Sequence, residues 1–236
     1  MTGIAAQVRR FATPDLAAQA LTEAVTADLR AALARRRSAA LVVSGGREPL
    51  RFFALLAGQA LDWPRVVVTL ADERWVGPQH PASNARLVRT HLLRGSAAAA
   101  RFVPLHQAAP TPALGLPAAT QALAQVPTPY AAVVLGMGED GHTASLFPGM
   151  PGLRAALDLH GRATVTAGHA PVPPRARISH TLAALVCTAR IHVLAAGAAK
   201  MRLLADILAD PDTRRCPVAA VLTQRRAPVV IYTGAA

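Results

Sequence analysis

Short apolar runs alternate with amphipathic stretches and glycine- or proline-marked turns along most of the chain. Residues 39–43, 66–71 and 130–135 are nearly unbroken runs of Ala, Val and Leu. Runs of this length without polar alternation predict strands covered on both faces. Further short strands are predicted at 102–105, 163–166, 177–179, 191–195 and 229–232. A first helix is predicted over 13–36, with Thr13 as N-cap, Pro14 at the first position and Asp15 in the first turn. Others follow at 48–61, at 84–93 behind a Ser83 cap, within 111–126, and at 182–188 and 198–209. Strands alternating with helices predict an α/β fold, a three-layer arrangement of a mostly parallel sheet with helices on both faces. No repeat or long linker divides the chain, so a single domain over 1–236 is expected.

Composition narrows the class. The 236 residues are 52% hydrophobic and 16% charged, which leaves no room for broad disorder. The net charge is +12, yet the cations are scattered. The one dense run, Arg35-Arg36-Arg37, falls at a predicted helix end, where it complements the dipole. Aromatics make up only 4%, too few for base-stacking platforms, so no nucleic-acid partner is expected. No apolar run approaches the ~18 residues that span a bilayer, and the N-terminus lacks the apolar core of a signal peptide. A soluble, cytoplasmic protein without membrane contact is expected, and no obligate protein partner is evident. Cys187 and Cys216 are read as buried or idle thiols rather than a disulfide scaffold or a metal site.

Chemistry concentrates at predicted strand ends, where parallel sheets bind ligands. After 130–135 the chain reads Gly136-Met-Gly138-Glu-Asp140-Gly141-His142, which places a histidine beyond a glycine loop, at the expected start of a helix. His142 is the best general-base candidate, since an unperturbed imidazole titrates near neutral pH; Asp140 is its orienting carboxylate. The Ser44-Gly45-Gly46 turn offers backbone donors to an anion. Arg74, closing Asp72-Glu73-Arg74, could clamp a phosphate with its donor fork or pair with Asp72 or Glu73. Lys200 is the only lysine in the chain. The bare G-x-G-x-x-G of residues 136–141 lies mid-chain with no convincing ribose-binding acid after it, which argues against a dinucleotide site. No metal-ligand spacing, nucleophile elbow or phosphate-binding lysine loop is present.

Four ordered blocks carry a resemblance. They are the Ser44-Gly45-Gly46 turn; Asp72-Glu-Arg-Trp-Val76 with His80 and Ser83-Asn84; Gly136 to Gly149; and Arg177-Ile-Ser-His-Thr181 with Gly197-Ala-Ala-Lys200. Together the chain resembles the 6-phosphogluconolactonase family, and the likeness covers nearly its whole length. The resemblance implies hydrolysis of a small phosphorylated sugar lactone without cofactor or metal. It implies His142 and Asp140 as catalytic pair, with substrate contacts at Ser44, Gly45, Gly46, Asp72, Arg74, Asn84, Gly138, Gly141, Arg177 and Lys200. The related glucosamine-6-phosphate deaminases differ after Asp-Gly-His and carry tyrosine in place of Arg74. A sugar-phosphate sensor without catalysis would need neither His142 nor Asp140. Three positions depart from the family pattern: Arg47-Glu48 before Pro49, which brings a negative charge to a suspected anion site, His180 where leucine is common, and Gly234 where an acid is usual.

Overall fold

The computed structural model of the chain describes residues 6–234. In chain order these form β1 (Gln7–Phe11), α1 (Pro14–Arg35), β2 (Ala39–Val43), α2 (Leu50–Ala57), β3 (Val66–Leu70) and β4 (Asp72–Arg74). There follow α3 (Asn84–His91), β5 (Arg101–Val103), α4 (Pro112–Leu123), β6 (Ala132–Gly136), α5 (Leu153–Ala156), β7 (Val165–His169) and β8 (Ala176–His180). The chain closes with α6 (Leu182–Leu185), β9 (Ile191–Leu194), α7 (Ala198–Ala209), α8 (Val218–Thr223) and β10 (Val229–Gly234).

The apolar runs become the centre of a seven-stranded sheet in the order β1-β10-β9-β6-β2-β3-β5, with every pairing parallel. Strands β2 and β3 are buried at all five positions, as their unbroken hydrophobicity requires. The expected α/β architecture is borne out. Helix α1 starts where predicted, with Thr13 Oγ1 accepting the Leu16 N–H at 3.2 Å. It buries Leu21, Val25, Leu29 and Leu33, a stripe repeating every four residues, and runs against β10, β9, β6 and β2. Each such side chain fully buried is worth about 1.5–3 kcal/mol.

From β2 the chain moves one way to β3 and β5, and later the other way through β6, β9 and β10. Right-handed crossovers running in opposite directions put their helices on opposite faces of the sheet and open a crevice where the direction reverses. That reversal falls between β2 and β6. Their carboxyl ends lead into Ser44-Gly45-Gly46 and Gly136 to His142.

Three expectations change. Asp72-Glu73-Arg74 is not a trailing end of β3 but a separate strand of a three-stranded antiparallel sheet, β4-β8-β7. It pairs Asp72 with Ser179 and Arg74 with Arg177. No helix begins at His142. The backbone from Gly138 to Leu146 closes on itself through Gly138 N–H to His142 O, Gly141 N–H to Gly138 O and Leu146 N–H to Thr143 O. Left-handed Gly141 and Ala144, at φ 78° and 49°, interrupt helical geometry, and the next helical turn is α5. The helices predicted over 48–61 and 182–188 are shorter, the first running Leu50–Ala57 between Pro49 and Gly58 as caps and the second Leu182–Leu185. Strand β1 and helix α8 were not anticipated. The first is an edge strand with mostly exposed residues, and the second spans six residues, so neither leaves a periodic signal.

Candidate active site

A cavity of about 560 Å³ opens over the carboxyl ends of the central strands. The loop after β2 contributes Ser44, Gly45, Gly46, Arg47 and Glu48; β4 and α3 contribute Asp72, Arg74 and Asn84. The loop after β6 adds Gly136, Gly138, His142, Ser145 and Phe147, with Arg177 from β8 and Ala196 and Lys200 around the start of α7. The fold therefore gathers ten of the expected residues from five separate parts of the chain. Gly141 and Asp140 do not line the cavity. Gly141 is packed against Cys216, where a Cβ would stand 2.8 Å from the thiol sulfur, and Asp140 lies behind the histidine. Neither cysteine is buried: Cys187 is exposed and Cys216 half-buried.

The histidine is held firmly. His142 Nδ1 lies 2.5 Å from Asp140 Oδ1, and the same oxygen accepts the His142 backbone N–H at 3.1 Å. Burial raises the Asp140 carboxyl, but the hydrogen bond and charge of His142 outweigh it and leave Asp140 below its ordinary value. With Nδ1–H donated to Asp140, Nε2 carries the lone pair. Phe147 backs the ring at 4.5 Å between centroids, and the Arg177 guanidinium sits 5.9 Å from the Phe147 centroid on the way to the cations. Gly138 is required here because a Cβ would collide with the His142 imidazole and the Asp140 carboxylate. Ala144, which lines the cavity, holds a left-handed φ, a backbone strain of the kind that clusters at functional sites.

The second sheet builds the cationic wall. Arg74 and Arg177 face each other across the β4–β8 ladder. Among the described residues neither pairs with a carboxylate; Arg74 donates instead to the Ala82 carbonyl at 2.6 Å. Asp72 is engaged elsewhere, accepting the Ser145 hydroxyl at 2.6 Å and so tying the second sheet to the histidine loop. Burial, then repulsion from Arg74, pushes the Arg177 guanidinium below its usual value. Two cations held together without a carboxylate partner suit an anion.

Glu73, not singled out from sequence as functional, anchors this wall. It is fully buried and accepts the N–H groups of Arg74, Asn84 and Ala85 together with the Ser83 hydroxyl. Burial raises its carboxyl despite those backbone donors. It fixes the start of α3, and with it Asn84, whose amide donates to the Asp72 carbonyl at 2.9 Å and packs on Gly45. A carboxylate inside an otherwise strand-like triplet is a capping signal only when the capped helix, ten residues on, is known.

Buried polar atoms without a protein partner cluster at this cavity. Among the described residues they are Ser44 Oγ, Arg74 Nε, Asn84 Oδ1 and Arg177 Nε, with Thr26 Oγ1 and His180 Nδ1 elsewhere. Buried polar groups are rarely left unpaired, and these four belong to residues that line the cavity. Lys200 is not free: its ammonium donates to Glu48 Oε2 at 2.6 Å.

Residues 12–231 match the family described as glucosamine-6-phosphate isomerases/6-phosphogluconolactonase. The chain is 46% identical over 216 residues to 6-phosphogluconolactonase of Pseudomonas aeruginosa, covering 91% of this chain and 89% of that protein. It is 41% identical to that of Rhizobium meliloti over 232 residues, 97% and 99% of the two chains. Its fold is similar to a 6-phosphogluconolactonase structure from Shewanella baltica, with TM-score 0.94, 37% identity and complete coverage of both chains.

Proposed function

The chain belongs to the glucosamine-6-phosphate isomerase/6-phosphogluconolactonase family, and from that premise we propose that it hydrolyses 6-phospho-D-glucono-1,5-lactone to 6-phospho-D-gluconate, a step of the pentose phosphate pathway. The supporting observation is that one cavity is lined both by a histidine whose Nδ1 is held by Asp140 and by two arginines that, among the described residues, lack a carboxylate partner. A lactone that carries a phosphate at its far end needs both.

His142 Nε2 accepts a proton from water as that water attacks the lactone carbonyl carbon. The C–O double bond opens to an oxyanion, which requires fixed donors. Gly45 and Gly46 line the cavity, and their N–H groups donate to no acceptor among the described residues, so we assign them to the oxyanion. As the intermediate collapses, the bond to the ring oxygen breaks and the His142 imidazolium returns its proton to that oxygen. The product acid ionises. Asp140 keeps the ring in the required tautomer and stabilises the imidazolium. Arg74 and Arg177, together with Lys200, hold the phosphate, and this remote contact orients the carbonyl for attack.

The test is an assay of the purified protein on freshly prepared phosphorylated lactone, corrected for spontaneous hydrolysis, beside a deaminase assay on glucosamine 6-phosphate. Acceleration of the first alone is expected. Ammonia release in the second, or no gain over the spontaneous rate in the first, rejects the proposal.

A further inference from the structure

The proposed hydrolysis leaves Glu48 without a task, and its surroundings are those of a bound anion. Its Oε1 accepts the Ala196 N–H and its Oε2 the Lys200 ammonium, each at 2.6 Å. Ala196 stands immediately before Gly197, the N-cap of the twelve-residue helix α7. A backbone donor, the positive end of a helix and an ammonium thus converge on one carboxylate, which is the donor set that also suits a phosphate. The contact is sheltered, with the Lys200 and Glu48 side chains 19% and 21% exposed. It lies at the mouth of β6, since a Cβ on Gly136 would stand 3.9 Å from Glu48 Oε2. Glu48 and Lys200 both line the cavity that holds His142, Arg74 and Arg177.

We propose that Glu48 is a built-in competitor for the phosphate end of this pocket. Its carboxylate fills the Ala196–Lys200 cradle in the free protein, and a phosphorylated ligand binds by displacing it. The inference rests on the pocket being a phosphosugar site. A singly charged carboxylate yields to a doubly charged phosphate with more acceptor oxygens, while it holds the cradle against weaker anions. When product departs, the carboxylate returns to its donors, so release does not leave Lys200 and the Ala196 N–H unpaired. The arrangement sacrifices phosphate affinity for selectivity and release.

Titration calorimetry with inorganic phosphate, at low ionic strength, compares the wild-type protein with Glu48→Gln and Glu48→Ala. Removing a like charge from beside a bound anion in a partly exposed pocket is expected to tighten phosphate binding about tenfold in both variants. Adding Lys200→Ala to Glu48→Gln should abolish that gain, because the emptied cradle then lacks its cation. Glu48→Gln keeps the shape of the side chain and an acceptor for Ala196, so it decides the matter even if the alanine variant folds poorly. Unchanged or weaker phosphate binding in Glu48→Gln overturns the proposal and makes Glu48 a residue that aims Lys200. The titration needs no turnover. Tighter phosphate in a protein that fails to hydrolyse the lactone would reject the lactonase reading alone, and normal hydrolysis with unchanged phosphate affinity would reject the competitor role alone.

Discussion

His180 makes the stability of this fold depend on acid in a way that can be isolated. The residue ends β8, one position beyond the Ser179 that bonds the histidine loop, and its side chain is wholly buried. Its Nε2 lies 3.2 Å from the Tyr130 hydroxyl, and Nδ1 has no hydrogen-bond partner among the described residues. Burial pushes the imidazole down from 6.5 to about 4, while backbone groups of Ala71 and Leu70 pull less strongly upward. Because the folded value lies below the unfolded one, the unfolded chain takes up the proton first as pH falls. The stability contributed by the neutral ring is complete above about pH 6.5 and drains away towards pH 4. A gap of about 2.5 units at 1.36 kcal/mol each is roughly 3 kcal/mol in total, of which about 2 are lost by pH 5. That is a large part of a typical 5–15 kcal/mol. Urea unfolding of the wild-type protein and His180→Leu at about pH 7.5 and about pH 5 reads this directly. At the higher pH the variant should be less stable by about 1–3 kcal/mol, since the buried Tyr130 hydroxyl loses its partner. Adding Tyr130→Phe should recover much of that loss. At the lower pH the gap between wild type and variant should shrink by about 2 kcal/mol. His192 and the carboxylates titrate in both proteins and cancel in the comparison. A gap of the same size at both pH values refutes the reasoning.

The active-site proposals give sharper kinetic outcomes. His142→Ala should lower the rate of lactone hydrolysis by about 10²–10⁴-fold with little change in unfolding midpoint; near-normal turnover would remove His142 as base. Asp140→Asn should approach the same loss, because an amide can stabilise the wrong tautomer, whereas equal activity would make the 2.5 Å contact incidental. Arg74→Ala should raise KM for the phosphorylated lactone about ten- to a hundredfold, the worth of a charged hydrogen bond, and spare unphosphorylated gluconolactone. Equal losses on the two substrates would dismiss Arg74 as phosphate ligand. Gly138→Ala, whose methyl would displace the His142 ring and Asp140, should cost about 10²-fold in kcat, and an unaffected kcat would show the loop to be more pliable than its bonding suggests.

Much of the scaffold was legible because its signals are local. Thr13-Pro14 capping, the apolar runs that became β2, β3, β6 and β9, and the bounds of α7 each depend on a few neighbouring residues. The glycine spacing around His142 likewise marked the loop that lines the cavity, since only glycine admits Gly138's close approach to the ring. The helix expected after His142 failed for a reason the spacing conceals. The loop spends its backbone donors on its own carbonyls, and Ala144 adopts a left-handed conformation that side chains seldom take.

The sequence by itself determined most of the strands and helices, their succession along the chain, and the residue types available at the carboxyl edge of the sheet. Only the tertiary structure decided what those residues do to one another. Splitting β4 from β3 and pairing it with β8 brought Arg74 beside Arg177, left both without a carboxylate partner, and engaged Asp72 with a serine 73 residues away. Folding across 152 residues joined Glu48 to Lys200, turning an expected free cation into an occupied one. Strand and helix formation follow from hydrophobic periodicity within a dozen residues. Ion pairing and burial depend on distance and desolvation between segments far apart in the chain, which no local pattern encodes.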